Sequence, residues 1–100
     1  MPKTRTEKGN MYKEYVGHGG RMIVDGDNLL VRLLFTKKTV PFSQIASVHF
    51  VEPTPKANGS LTIVVPSEKS SPYELFFLAQ DRLKFVELYD LIALRIGGSK

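Results

Sequence analysis

"DRLKFVELYDLIALRI", Asp81 to Ile96, is where the hydrophobic period of the chain changes from two residues to between three and four. Placed at 100° per residue, Phe85, Leu88, Tyr89, Ile92 and Ile96 fall within an arc of about 100°, so the stretch predicts an amphipathic helix. Asp81 is the expected N-cap and Gly97-Gly98 the stop. At 1.5 Å per residue this helix is about 24 Å long. A single apolar stripe of that length needs a partner surface, and the rest of the chain must supply it.

Everything upstream reads as short strands. Met11 to Val16 and Arg21 to Asp25 are the first two. Asp25-Gly26-Asp27-Asn28 then supplies a strong hairpin signal, because glycine takes the positive φ of a tight turn. Asn28 to Phe35 follows with Leu29, Val31, Leu33 and Phe35 on one face. Lys37-Lys38 marks the next turn, and a strand with Val40 and Phe42 comes after it. Pro41 lacks an N–H, so that strand should be at an edge or be short. Ile45 to Val51 changes phase partway, and a bulge near Ala46-Ser47 would reconcile its two halves. Leu61, Ile63 and Val65 alternate cleanly, as do Tyr73, Leu75 and Phe77.

Length and composition set bounds on this pattern. One hundred residues with 42% hydrophobic content make one globular domain with one core. There is no cysteine, so neither disulfides nor thiolate metal sites contribute, and this suits a cytoplasmic setting. No apolar run is long enough for a transmembrane helix, and Met1 to Glu14 is too polar for a signal peptide. The net charge of +4 is concentrated at the start: residues 1–13 hold Lys3, Arg5, Lys8 and Lys13 against Glu7. The expected organisation is a flexible basic tail over residues 1–10, a domain over 11–97 and a disordered end over 98–100. A tail of this kind is a solvated end rather than a nucleic-acid arm, since the aromatic residues are committed to the core.

Seven antiparallel strands followed by one helix suggest two near-orthogonal sheets curled into a small barrel, with Phe85, Leu88, Tyr89 and Ile92 plugging an open end. The class is mainly β with one C-terminal α-helix. "GHGGRMIVDGDNLLVRL" (17–33), "TVPFSQIASVHF" (39–50), "NGSLTIVV" (58–65) and "FVELYDLIALRI" (85–96) are similar in order and spacing to uncharacterised bacterial pleckstrin-homology-like (PH-like) domains. These often sit beside short C-terminal oligomerisation segments. The resemblance spans residues 14–96 and implies a PH-like barrel and a role in protein binding; none of its motifs is a catalytic signature.

Catalytic and cofactor readings find little support. In Gly17-His18-Gly19-Gly20 a dinucleotide fingerprint would need a small residue at position 22, where Met22 stands, and a helix after it. The expected role is to turn one strand into the next. His18 and His49 are the only histidines and have no ligand spacing between them, so neither a metal nor another cofactor is expected. The serines lack a base-and-acid signature, and the chain is read as a non-enzyme.

Two candidate surfaces remain. Arg21, Arg32, Lys37 and Lys38 form the one basic grouping inside the domain, a candidate anion or anionic-lipid site. Leu83, Val86, Leu91 and Leu94 lie outside the plug arc of the helix, a candidate protein interface. The primary expectation is a non-catalytic binding or scaffold module acting through protein or peptide contacts or self-association. The alternative is a peripheral binder of anionic lipid or phosphate ligands.

Overall fold

A computed structural model of the protein describes residues 11–97; the expected tail and disordered end lie outside the described residues. The strands are β1 (Tyr12–Val16), β2 (Arg21–Asp25), β3 (Asn28–Arg32), β4 (Lys37–Pro41), β5 (Ser47–Val51), β6 (Gly59–Val64) and β7 (Tyr73–Phe77), followed by α1 (Arg82–Gly97). They form two antiparallel sheets of consecutive strands, β1 to β4 and β5 to β7.

Local chemistry explains most boundaries. Gly26 takes φ of 63° at the first loop position between β2 and β3, where a type II′ turn requires glycine. The phase change before β5 is not a bulge. A 3₁₀ turn over Phe42–Gln44 carries the chain out of β4, and the Ile45 N–H donates to the Phe42 carbonyl at 3.1 Å. Phe42 therefore sits in the turn rather than in a strand, and β5 pairs with β6 in regular register from Ser47↔Val64 onward. Asp81 is the last residue of a second 3₁₀ turn, Ala79–Asp81, which runs directly into α1.

The core is one cluster with three contributors. Met22, Val24, Leu29 and Val31 come from the inner face of the first sheet, Leu61, Ile63, Leu75 and Phe77 from the second, and Phe85, Leu88 and Ile92 from α1. Phe85 joins all three layers: it stacks on Phe77 with centroids 4.6 Å apart and meets Tyr15 of β1 edge-on at 6.4 Å. Tyr89 reaches Phe50 of β5 in the same way at 5.8 Å.

The sheets do not close into a barrel. β4 and β5 share no ladder, since Pro41 lacks a donor and the 3₁₀ turn separates the strands. Between the two sheets, the β1–β2 turn meets β7 through an isolated bridge, His18↔Phe76. The architecture is two packed sheets with a helix over them.

One polar group in this core has a clear pH consequence. The Tyr15 hydroxyl donates to Glu87 at 2.6 Å, and burial first, then Glu87, raises the phenol above its ordinary value of 10.0. A pKa raised on folding supports the fold below the unfolded value and loses that support as pH climbs through the folded one. The melting temperature should therefore fall above about pH 10, and Tyr15→Phe should make that fall shallower. An unchanged alkaline slope in Tyr15→Phe would remove Tyr15 as its source.

Candidate functional site

Sheet register places the basic residues. Arg21 lies opposite Arg32, and Arg32 opposite Lys37, so the three form one row across β2, β3 and β4. Directly opposed residues in a sheet share a face. The next row holds Met22, Val31 and Lys38, of which Met22 and Val31 are buried in the core. Lys38 therefore belongs to the inner face, and its ammonium leaves the sheet to pair with Glu68 at 3.1 Å, which raises its pKa. Of the four expected residues, three form a surface row and the fourth is committed elsewhere.

Those three differ in freedom. Arg21 pairs with Glu14 across β1. Among the described residues, Arg32 donates to the carbonyl oxygens of Val31 and Lys38, at 3.3 and 3.4 Å. Lys37 is exposed and takes part in no ion pair among the described residues.

Beside this row lies a feature that alternation hides. Continuing β3 through Phe35 would bury Leu33 and Phe35 together, but the strand ends at Arg32 and Lys37-Lys38 begin β4 instead of forming the turn. Leu33 and Thr36 close the loop with mutual backbone hydrogen bonds of 2.8 and 3.4 Å. Leu34 and Phe35 are left as a two-residue tip, 78% and 93% exposed. The signal for this in the sequence is Leu34-Phe35 between cations: Arg32 precedes the loop and Lys37 follows it.

The helix surface is only partly as expected. Leu83 and Leu94 are exposed, at 75% and 70%. Val86 is half-buried, and Leu91 packs against the core on the side of α1 where Glu87 bonds to Tyr15 of β1 and Arg95 to Gly26 of the β2–β3 turn. Both are less exposed than Leu83 and Leu94.

The glycine cluster is structural. The Gly17 N–H donates to the Gly20 carbonyl at 2.8 Å, closing the β1–β2 turn, and the His18 N–H donates to the Phe76 carbonyl at 2.8 Å. The His18 side chain is exposed. His49 is also exposed, 3.1 Å from the Ser47 hydroxyl on the outer face of β5. Among the described residues no group of three His, Cys, Asp or Glu side chains converges as a metal site. A shallow depression of about 280 Å³ is lined by Ser43, Gln44, Ile45, Ala46, Pro66 and Ser67, none of them ionisable. No helix among the described residues is long and apolar enough to cross a membrane. Comparison with protein-family models, curated proteins and solved structures finds no match.

Proposed function

We propose that this chain is a non-catalytic binding module with a PH-like fold, and that its contact surface is the β3–β4 end of the four-stranded sheet. One observation carries the reading: the most exposed large apolar side chains of the described residues, Phe35 and Leu34, project together from a hairpin tip beside a row of cations. Singly exposed apolar residues are ordinary. Two adjacent ones at a tip contribute nothing to the core, so a partner is the natural reason to keep them.

A second reading rests on Leu83 and Leu94, which share the outer stripe of α1 with Glu87 and Asp90 and suit self-association. The double change Leu83→Glu with Leu94→Glu should leave the melting temperature within about 2 °C, as surface changes do, while dissociating any oligomer formed through the helix.

The chain contains no tryptophan, so Phe35→Trp and Leu83→Trp each report one surface by fluorescence. The tip reading expects the Phe35→Trp emission to shift to the blue in a protein concentration series or with anionic lipid vesicles, and Leu83→Trp to remain water-like in both. A shift confined to Leu83→Trp moves the contact surface to the helix. Silence from both reporters defeats the tip reading.

A further inference from the structure

We propose that the tip binds a second copy of this chain head to tail. Leu34 and Phe35 seat on Leu94 at the far end of the sheet, with Arg32 and Lys37 facing Asp90. The proposal rests on the tip being the contact surface and adds the identity of what it contacts.

The two ends of the four-stranded sheet carry opposite charge. In the antiparallel sheet the β1–β2 and β3–β4 loops share one end, and the β2–β3 turn lies at the other. The first end presents Leu34 and Phe35, with Arg32 and Lys37 in no ion pair among the described residues. The second presents Asp25 and Asp27, and α1 finishes there. Arg95, in the last turn of the helix, donates to the Gly26 carbonyl at 2.8 Å and pairs with Asp27 at 3.1 Å. Its guanidinium also lies 4.4 Å from the centre of the Phe42 ring. This clamp holds the neighbouring Leu94 at the turn end of the sheet, where it stays 70% exposed. Asp90, one turn earlier on the same stripe, is exposed and takes part in no ion pair among the described residues. The carbonyl groups at the helix C-terminus add to the negative potential there.

Spacing agrees with charge. Asp90 and Leu94 are about 6 Å apart along the helix axis. Phe35 and Lys37, two residues apart, span at most about 7 Å. A copy that lays Phe35 on Leu94 therefore brings its Lys37 to Asp90. Leu83, the other exposed leucine of the helix, lies roughly 16 Å away along the axis. The carboxylates near it, Glu52, Asp81 and Glu87, are already paired with Arg82, Lys84 and Lys13. That half of the helix offers the tip no free anion, so Leu83 stays in water.

Like ends repel. Two tips face to face would set Arg32 and Lys37 against their own copies, and two turn ends would set aspartate against aspartate, so unlike ends join. The tip projects past the end of the sheet, which makes copies add end to end rather than side by side. Each addition leaves one tip and one seat unused, and assembly continues beyond the dimer. Each contact is small and of the transient class. Assembly is therefore expected at protein concentrations of about 0.1–1 mM.

The test is sedimentation velocity of the full chain from about 0.01 to 1 mM, a range that brackets such an affinity. The mean mass should rise continuously past that of a dimer. Raising salt from about 0.1 M to 0.5 M should weaken assembly severalfold as the screening length shortens. Two variants remove one end each: Leu34→Ser with Phe35→Ser, and Asp90→Lys with Leu94→Ser. All four positions are exposed, so both variants should melt within about 2 °C of the parent. Each alone should stay monomeric, while their equal mixture should form a dimer of one copy of each and nothing larger. Phe35→Trp emission should shift to the blue with concentration, and adding Asp90→Lys and Leu94→Ser should abolish that shift.

A monomer throughout the range overturns the proposal, as does a mass that stops at the dimer. A mixture that remains monomeric overturns it too, because the two ends would not be each other's partners. If Phe35→Trp shifts with concentration despite Asp90→Lys and Leu94→Ser, or shifts only with anionic vesicles, Leu94 is the wrong seat and the tip remains the contact surface. If that reporter is silent in both settings, both readings fall.

Discussion

Phe85→Ala should destabilise the domain by roughly 3–5 kcal/mol, the range for removing a fully buried aromatic ring. Phe85 is 0% exposed, stacked on Phe77 of the second sheet and edge-on to Tyr15 of the first. Truncation opens a void where both sheets and the helix meet, and no one element can move in to fill it without leaving another. At about 4–8 °C per kcal/mol for a domain of this size, the melting midpoint should fall by more than about 12 °C. Phe35→Ala is the matched control, because the same atoms leave a side chain that is 93% exposed. It should change stability by no more than about 0.5 kcal/mol. Thermal melts of both variants decide the matter: a Phe85→Ala midpoint within a degree of the parent would mean that α1 does not join the sheets through this ring.

The second large effect belongs to Gly17→Ala. A Cβ at this position would lie 2.5 Å from the Phe76 carbonyl oxygen and 3.0 Å from Leu75 Cδ1. The first of these is backbone, so the β1–β2 loop must lift away from β7. The neighbouring hydrogen bond from the His18 N–H to the same carbonyl, 2.8 Å long, is then strained or broken. Overpacking of this kind costs about 1–3 kcal/mol, and a lost buried hydrogen bond adds about 1 kcal/mol. Gly19 separates this cause from backbone strain. It has φ of 85° and open space where a Cβ would go, so Gly19→Ala meets only the left-handed penalty of about 1–2 kcal/mol. Chemical denaturation should rank Gly17→Ala as the more damaging. The reverse order would show that the loop is not held against β7.

These variants bear on the proposed contact surface through the same contacts. The β1–β2 loop packs beside the β3–β4 hairpin, where a Cβ on Gly20 would sit 2.8 Å from the Arg32 carbonyl oxygen. The backbone around Arg32 is thereby braced from one side, and the two-residue tip projects from a supported base. Gly17→Ala should therefore disturb the base of the tip as well as stability, whereas Phe35→Ala should leave the fold unchanged.

Several features follow from local chemistry that needs no partner. Period-two alternation identifies the inward faces of β6 and β7, because adjacent strand residues must point to opposite sides. Asp25-Gly26 specifies its hairpin through the φ that glycine alone takes freely. The stripe of Phe85, Leu88 and Ile92 identifies the face of α1 that is buried. That Gly17 to Gly20 turn the chain is equally legible, since the motif lacks the helix a phosphate cradle requires.

Other features depend on where elements end and on what lies opposite them. Alternation carried Phe35 to the core face, but a strand is buried only as far as the opposing layer reaches, and β3 stops at Arg32. Lys37 and Lys38 look equivalent as neighbours; register sends one to the outer row and the other across to Glu68. Leu91 lies outside the helical arc, yet it packs against the core, on the side of α1 that meets β1 and the β2–β3 turn. The sequence by itself determined the succession of strands and helix, the glycine turns and the apolar faces of β6, β7 and α1, because these arise from bond geometry and side-chain period. Tertiary structure alone decided which apolar residues remain in water and which cations stand beside them, because burial belongs to the surface that packs against a residue.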